Sequence, residues 1–294
     1  MARKKLKWSD MRPSEKRDHV IYLIGQILKW LFVGSMCIFT LYPVVYTLLG
    51  SFKTNAELTL GGNFLPENWQ FNNYVYAFQK LDFGKYFLNS VVLALLTVVF
   101  TLITSSMAAY VISRRDFVGK KLISTAYLLS MFISVGSVAL YPLYTLMSRL
   151  GLTKNMVGLA LMLTGGQAAN IFMISGFING VPKDLDEAAT IDGAGPFRIF
   201  WQILLPLMKP ALFSAGLFQF LWTYNDYFNS LIFINSVKKY TISLALRLSV
   251  DAESVVVWGR VMAMACVAVL PLVLLFFAAQ KYFVEGIATS GLKG

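Results

Sequence analysis

Histidine and cysteine are nearly absent from this chain of 294 residues. The single histidine, His19, lies in a basic stretch, and Cys37 and Cys266 lie inside long apolar runs. Imidazole and thiolate are the usual ligands of transition metals, and imidazole is the commonest general base, so their scarcity argues strongly against both kinds of site. Thiols within apolar runs predict inert, reduced cysteines rather than a disulfide. We therefore expect no metal site and no histidine-based catalysis.

Charge is also scarce, and it is missing from the centres of the long apolar runs. Only 14% of the residues are charged, against 57% hydrophobic. Crossing about 30 Å of hydrocarbon takes roughly 20 apolar residues of helix. Because the runs lack the alternation of a membrane barrel, they predict an all-α polytopic membrane protein with six transmembrane helices. The predicted spans are residues 25–49, 87–112, 122–147, 155–178, 210–233 and 259–282.

The net charge of +11 is concentrated at particular positions. Basic residues crowd the segment before the first span and the short loop at 114–121, whereas the loop at 148–154 has only Arg149 and Lys154. Short basic loops remain cytoplasmic, so both termini are predicted inside. The basic residues then favour contact with anionic membrane lipid, and no aromatic-basic platform indicates nucleic acid.

Three further absences narrow the function. The chain has no GxxxxGK[ST] loop, so we expect no bound cofactor here and any ATP chemistry in a separate chain. An ion-coupled secondary transporter would have internal repeats and ionisable groups at membrane depth, and neither is evident. A membrane enzyme would have clustered nucleophiles or acid–base groups, which the spans lack. We therefore expect a transport subunit that is not itself an enzyme.

The predicted organisation follows the spans. It comprises a basic cytoplasmic tail (1–18), a first transmembrane helix (19–49), an outer loop (50–86), a transmembrane core (87–282) and a cytoplasmic tail (283–294). Pro142 predicts a kink or helix end in the third span. Gly165-Gly166-Gln167 in the fourth span admits two interpretations, close helix packing or local unwinding beside a cavity.

A polar loop at 179–209 interrupts the core on the predicted cytoplasmic side. Pro182 suits the first turn of a helix, and acidic residues at 184, 186 and 187 suit its positive end. Gly193 predicts the end of this helix. Pro196 then predicts the start of a second short helix, which Pro206 should stop near Leu205.

This loop resembles the signature loop of ABC importer permeases. The resemblance rests on Glu187-Ala188-Ala189, Asp192-Gly193-Ala194 and Leu205-Pro206 at the family's separations. Further stretches resemble the carbohydrate-uptake, maltose-type subfamily over nearly the whole chain, and include Asn89-Ser90, Ala108-Ala109-Tyr110, Asn225-Asp226 and the ending Gly291-Leu292-Lys293-Gly294.

The resemblance implies a MetI-like ABC permease fold in a bacterial inner membrane, with a cytoplasmic coupling helix. It also implies the partners: a cytosolic ATPase dimer that binds ATP and Mg, a second homologous permease and an extracytoplasmic solute-binding protein. Glu187 would then contact a basic residue of the ATPase, Ala188 and Ala189 would pack that interface, and Gly193 would set the bend. The tail Gly291–Gly294 would reach between the ATPase subunits.

The implied function is import of a carbohydrate, with an oligosaccharide favoured; a permease for an amino acid or peptide is the alternative. Sugars are bound by aromatic faces and by amide or carboxylate groups. The polar cluster that ends the fifth span therefore has two interpretations, interfacial side chains or a wall of the substrate pathway. The candidate pathway residues are Gln167, Asn170, Gln219, Trp222, Tyr224, Asn225 and Asp226.

Overall fold

The computed structural model describes residues 12–80, 82–133, 136–165, 167–251 and 256–291. Most of the predicted tail 1–18 lies outside these ranges, as do Gly166, Leu292, Lys293 and Gly294. Within them, all regular secondary structure is helical, which confirms the predicted all-α class.

The helices follow one another with short connections. Their bounds are α1 Pro13–Gly50, α2 Asn55–Thr59, α3 Asn72–Lys80, α4 Phe83–Arg114, α5 Lys120–Phe132, α6 Leu140–Arg149, α7 Met156–Leu163, α8 Ala168–Asn179, α9 Asp184–Ile191, α10 Pro196–Ile199, α11 Leu205–Leu207, α12 Lys209–Tyr224, α13 Phe228–Phe233, α14 Ile242–Asp251 and α15 Trp258–Gly291.

By length and composition, three helices in the described ranges can each cross a membrane alone: His19–Gly50, Phe83–Arg114 and Trp258–Ala278. Two bent helix pairs raise the number to five if each pair is one span. The first pair is α7 with α8, bent by 60°, and the second is Pro196–Leu207 with α12, bent by 78°. The membrane character agrees with the sequence prediction, whereas the count of six is not reached by this criterion.

The third predicted span, 122–147, does not form one continuous helix. Helix α5 ends at Phe132, and a 3₁₀ turn at Gly136–Ala139 leads into α6. Gly136 has φ +55°, a left-handed conformation that a continuing α-helix does not use. Pro142 lies in the first turn of α6, where its missing N–H costs no helical hydrogen bond.

The fourth predicted span, 155–178, is interrupted as well. Helix α7 ends at Leu163 and α8 begins at Ala168. At the end of α7, the Ala160 carbonyl oxygen accepts from the Thr164 backbone N–H at 3.0 Å and from the Thr164 hydroxyl at 2.8 Å. The break between Leu163 and Ala168 agrees with the unwinding part of the second interpretation.

The described residues group into two compact units, which divide between Asn73 and Tyr74; Trp258–Ala263 belongs to the first. In that unit the Asn73 side chain donates to the carbonyl oxygens of Ser51 and Lys53, at 2.9 and 3.2 Å. These bonds hold the polypeptide that follows α1 against the start of α3.

The second unit is built around α4, which packs along α12, α8 and α7. A Cβ added to Gly216 of α12 would lie 3.3 Å from the Leu102 side chain, so glycine allows α12 to approach α4 closely. At one end of α4, a buried apolar cluster joins Tyr110 to Ile174 of α8 and to Ala189, Phe200 and Leu204 of the 179–209 loop. That cluster positions the candidate site.

Candidate functional site

Helix α9 occupies residues Asp184–Ile191, within the 179–209 loop. Asp184, Asp186 and Glu187 all lie in its first turn. Negative side chains there are favoured by the partial positive charge of the helix N-terminus. The predicted charge pattern of this helix is confirmed, and the helix begins just after Pro182 rather than at it.

The end of α9 is a Schellman motif. The Ala194 N–H donates to the Ala189 carbonyl at 2.9 Å, and the Gly193 N–H donates to the Thr190 carbonyl at 3.0 Å. This pair of bonds requires a left-handed residue, and Gly193 has φ +77°. The predicted role of Gly193 as the helix end is therefore confirmed.

The second arm of the loop differs from the prediction at Pro206. The arm begins at Pro196 as predicted, but the helix continues through a π-helical turn at Phe200–Leu204 into Leu205–Leu207. The Leu205 N–H donates to the Phe200 carbonyl, a wider i→i−5 bond, directly before the proline that lacks an N–H. The expected stop near Leu205 was therefore wrong, and the sharp bend comes after Leu207.

The two faces of α9 have different environments. Glu187, Ala188 and Asp192 are exposed, whereas Ala189 is buried in the chain's own core. The expectation that Ala189 contributes to an outer packing surface needs correction, because Ala189 is 8% exposed and belongs to the buried cluster around Tyr110 and Phe200. Ile191 is 87% exposed, so a large apolar side chain stands uncovered beside Glu187.

An ion pair anchors α9 to the end of α4. Arg114 Nε lies 3.0 Å from Asp186 Oδ2, and the two side chains are only 4% and 19% exposed. The same guanidinium donates through Nη2 to the Val181 carbonyl at 2.7 Å. Sequence reasoning used Arg114 as a topology signal and as part of the resemblance to sugar-importer permeases, and no pattern paired it with Asp186.

Tyr110, one turn before Arg114, holds the second arm. Its hydroxyl donates to the Pro196 carbonyl at 3.2 Å and accepts from Arg115 Nη2 at 3.1 Å, while its ring lies 5.4 Å from that of Phe200. Both arms of the loop are thus attached to the last turns of α4.

A cavity of about 280 Å³ lies at the foot of α9. Its walls include Arg114, Arg115, Asp186, Glu187 and the apolar Ile191. Two cations and two carboxylates line it, so its charges balance. The lining therefore combines paired charges with the apolar side chain of Ile191.

The predicted pathway residues do not form one lining. Asn170, Gln219 and Tyr224 are buried, and they bond within the chain. Asn170 Nδ2 donates to Gln219 Oε1 at 3.4 Å, and the Tyr224 hydroxyl donates to the Ala268 carbonyl at 2.9 Å. Gln167 donates to the Thr164 carbonyl and accepts from the Thr104 hydroxyl at 2.9 Å. These four side chains hold neighbouring helices together.

Trp222 and Asn225 are exposed, and Asp226 caps a helix. Asp226 Oδ2 accepts from the Ser230 backbone N–H at 2.9 Å and from its hydroxyl at 3.0 Å, and Oδ1 accepts from Asn229 Nδ2 at 2.7 Å. The carboxylate therefore satisfies one free backbone donor in the first turn of α13, that of Ser230, from the position before the N-cap residue Tyr227. Of the predicted pathway residues, Trp222 and Asn225 are the exposed ones. Asn225 Nδ2 donates to the Leu221 carbonyl at 2.8 Å, and the amide oxygen has no such bond among the described residues.

The cap makes a testable distinction at Asp226. We expect Asp226→Ala to lower the free energy of unfolding by about 1 kcal/mol, because α13 loses its cap, and Asp226→Asn to keep most of it, because an amide oxygen also caps. Thermal unfolding of the purified protein in detergent measures both. Equal losses in the two variants would contradict the capping assignment.

The chain matches known proteins over nearly its whole length. The profile of the family described as binding-protein-dependent transport system inner membrane component matches residues 101–289. The probable ABC transporter permease protein YurM of Bacillus subtilis is 32% identical, with 93% of this chain and 90% of that protein covered. The trehalose/maltose transport system permease protein MalG of Thermococcus litoralis is also 32% identical, with 95% and 99% covered.

A solved structure shares the fold. One chain of a bacterial ABC transporter involved in the import of the acidic polysaccharide alginate superposes with a TM-score of 0.79 at 24% identity, covering 88% of this chain and 96% of that one. The long match to curated permeases and the shared helical fold agree with the resemblance seen in the 179–209 loop. The chain therefore belongs to the binding-protein-dependent transport system inner membrane components, the permease subunits of ABC transporters.

Proposed function

We propose that this chain is one of two permease subunits of an ABC importer for carbohydrate, and that the 179–209 loop couples it to the ATPase. The observation that carries the proposal is the surface of α9. Its inner side is fixed by the Arg114–Asp186 pair, while Glu187, Ala188 and Ile191 remain uncovered. A rigid helix with an uncovered charged and apolar face is suited to receive force from a partner.

The coupling contact would use both parts of the loop. Glu187 and Asp192 offer fixed negative charge, and Ala188 and Ala194 leave room for a close approach. Gly193 sets the angle between the two arms, and the bend after Leu207 turns the second arm into α12. Leu205 and Pro206 lie in the last turn of the second arm, and the tail from Gly291 adds a second contact with the ATPase. This chain has no nucleotide-binding loop, so ATP and Mg belong to the ATPase dimer.

We further propose six crossings with both termini in the cytoplasm. The crossing that completes the six would be residues 120–149, the third in chain order. Its two α-helices contain 13 and 10 residues and together extend roughly 35 Å, enough to cross about 30 Å of hydrocarbon. The outer loop 50–86 would then face the solute-binding protein, and 179–209 would face the ATPase.

For the substrate, the relatives suggest an oligosaccharide. They include the trehalose/maltose permease above and the arabinooligosaccharides transport system permease protein AraQ of Bacillus subtilis, 32% identical with 93% of this chain covered. Trp222 and Asn225 are the side chains that this chain offers at the end of α12, an aromatic face for a sugar ring and an amide for its hydroxyls. A second permease completes the pathway.

The mechanism we propose is a two-state switch. Closure of the ATPase dimer on ATP moves the 179–209 loops of both permeases, and the helix bundles pass from inward-facing to outward-facing. The docked solute-binding protein then releases the sugar into the open pathway. Nucleotide acts because it binds one state more tightly than the other, which is the only way a ligand shifts such an equilibrium.

Site-specific photo-crosslinking tests whether the 179–209 loop contacts the ATPase and whether this loop lies on the cytoplasmic side of the membrane. We expect a photoreactive residue at Ile191 to crosslink to the ATPase in the assembled importer, because this side chain stands uncovered beside Glu187. The matched control is Leu60 in the outer loop, which is similarly exposed at 85% against 87%. A crosslink from Leu60 to the ATPase, or none from Ile191, would contradict the proposal.

A further inference from the structure

The last turns of α4 contact both arms of the 179–209 loop, although α4 is not adjacent to this loop in the sequence. Arg114 reaches the first arm through the Val181 carbonyl and Asp186, and Tyr110 reaches the second through the Pro196 carbonyl. The loop is otherwise continuous only with α8 and α12. Because α4 packs along both of those helices, it is the central element of the bundle.

The Arg114–Asp186 pair is largely buried where α9 meets α4, with 4% and 19% of the two side chains exposed. Asp186 Oδ1 is buried and has no hydrogen-bond donor among the described residues, so the carboxylate depends on Arg114 for its charge compensation. Arg114 Nε has no aligned acceptor, and its 3.0 Å approach to Oδ2 is an ion pair without hydrogen-bond alignment. Removing one member of such a pair leaves a buried charge without compensation, which is strongly unfavourable.

A second ion pair on the chain provides the contrast. Lys120 Nζ lies 2.9 Å from Asp116 Oδ1, but Asp116 is 98% exposed and both groups lie within one turn. The Lys120 ammonium lowers the pKa of the Asp116 carboxyl through this hydrogen bond. An exposed pair of this kind contributes little to stability and joins no separate elements. The two ion pairs have similar nitrogen–oxygen distances and the same opposite charges, but only the Arg114–Asp186 pair connects α4 to α9.

We propose that Arg114 is the positioning residue that joins α9 to α4, so that displacement of the 179–209 loop reaches the centre of the helix bundle. The proposal rests on the proposed ATPase docking of that loop. When α9 is pushed or pulled, the guanidinium transfers the movement through Asp186 and the Val181 carbonyl. Without it, α9 stays attached to the ATPase while α4 follows incompletely.

The test uses the complete importer in proteoliposomes and measures substrate transported per ATP hydrolysed. We expect Arg114→Met to lower this ratio about fivefold or more while ATP hydrolysis persists, in the range typical of allosteric coupling. Arg114→Lys, which keeps the charge opposite Asp186 but not the forked donors, should give a smaller decrease. Lys120→Met, which breaks the exposed pair, should leave the ratio unchanged.

A double variant separates coupling from folding. Arg114→Met with Asp186→Leu removes both buried charges, and such apolar replacements commonly restore stability. We expect this variant to regain thermal stability and to remain uncoupled. Recovery of the parent ratio in the double variant would overturn the proposal, since the pair would then serve stability alone. An unchanged ratio in Arg114→Met would overturn it as well.

Failure of this proposal is distinguishable from failure of the proposed function. Docking is read from the Ile191 crosslink to the ATPase, which Arg114 variants should retain. If the crosslink forms in the parent protein and the coupling ratio is unaffected by Arg114→Met, the docking assignment stands and the role of Arg114 does not. If the crosslink is absent from the parent, the docking assignment itself fails.

Discussion

Glu187→Lys is expected to abolish most transport while leaving the permease folded. The side chain is exposed in the first turn of α9, so its replacement removes no contact within the core. At the proposed ATPase interface, a lysine would face the basic residue that the glutamate is expected to contact. Like charges placed together at an interface cost about 2 kcal/mol or more. That corresponds to about 30-fold weaker docking.

Two control variants separate the interface from the helix itself. Glu187→Gln removes the attraction without adding repulsion, so we expect a smaller loss of transport. Asp184→Lys places a lysine in the same helix turn and carries the same unfavourable interaction with the helix dipole, about 0.3–1 kcal/mol. Transport and ATP hydrolysis in proteoliposomes give the measurement. Wild-type rates in Glu187→Lys would remove Glu187 from the coupling contact.

Gly158→Ala is expected to destabilise the protein strongly, because the added methyl group has no space. A Cβ at this position would lie 1.8 Å from the Leu152 carbonyl oxygen and 2.7 Å from its carbon, and neither backbone atom can rotate away. The Gly158 N–H also donates to the Asn155 side chain that caps α7, at 2.6 Å. Overpacking of this kind costs about 3 kcal/mol.

Gly176 provides the matched control, because it is also a glycine inside a helix of the same unit. No heavy atom lies within 4 Å of the position that its Cβ would take. Gly176→Ala should therefore raise stability by about 0.5–1 kcal/mol, the usual gain for alanine within a helix. Thermal unfolding in detergent compares the two variants. A Gly158→Ala protein as stable as Gly176→Ala would show that the α7 start can shift.

The coupling loop was the part of the chain most accessible to sequence reasoning. The acidic residues at the start of α9, Gly193 at its end and Pro196 at the start of the next helix each act within one turn of backbone. Such signals are local, so the predicted helix matches Asp184–Ile191 closely. Pro206 was misread because a π-helical turn before it supplies a wider hydrogen bond, an option that the proline alone does not reveal.

The transmembrane segments were predicted less completely. Hydrophobic length identified α1, α4 and α15 as helices long enough to cross a membrane. It did not reveal the interruptions after Phe132 and after Leu163, since an apolar run remains apolar whether or not its helix is continuous. At the first of these interruptions Ile133 is already extended and Gly136 has φ +55°, and hydropathy carries no information on backbone conformation.

Sequence alone therefore established the membrane class, the family resemblance and the start and end of α9, because composition and backbone signals of one turn suffice for each. Only the tertiary structure showed that Ala189 faces the core, that Asn170 and Gln219 bond to each other, and that Arg114 meets Asp186. These side chains come from elements distant in the chain. Their pairing depends on how helices pack, and no local pattern encodes which buried charge or amide will find which partner.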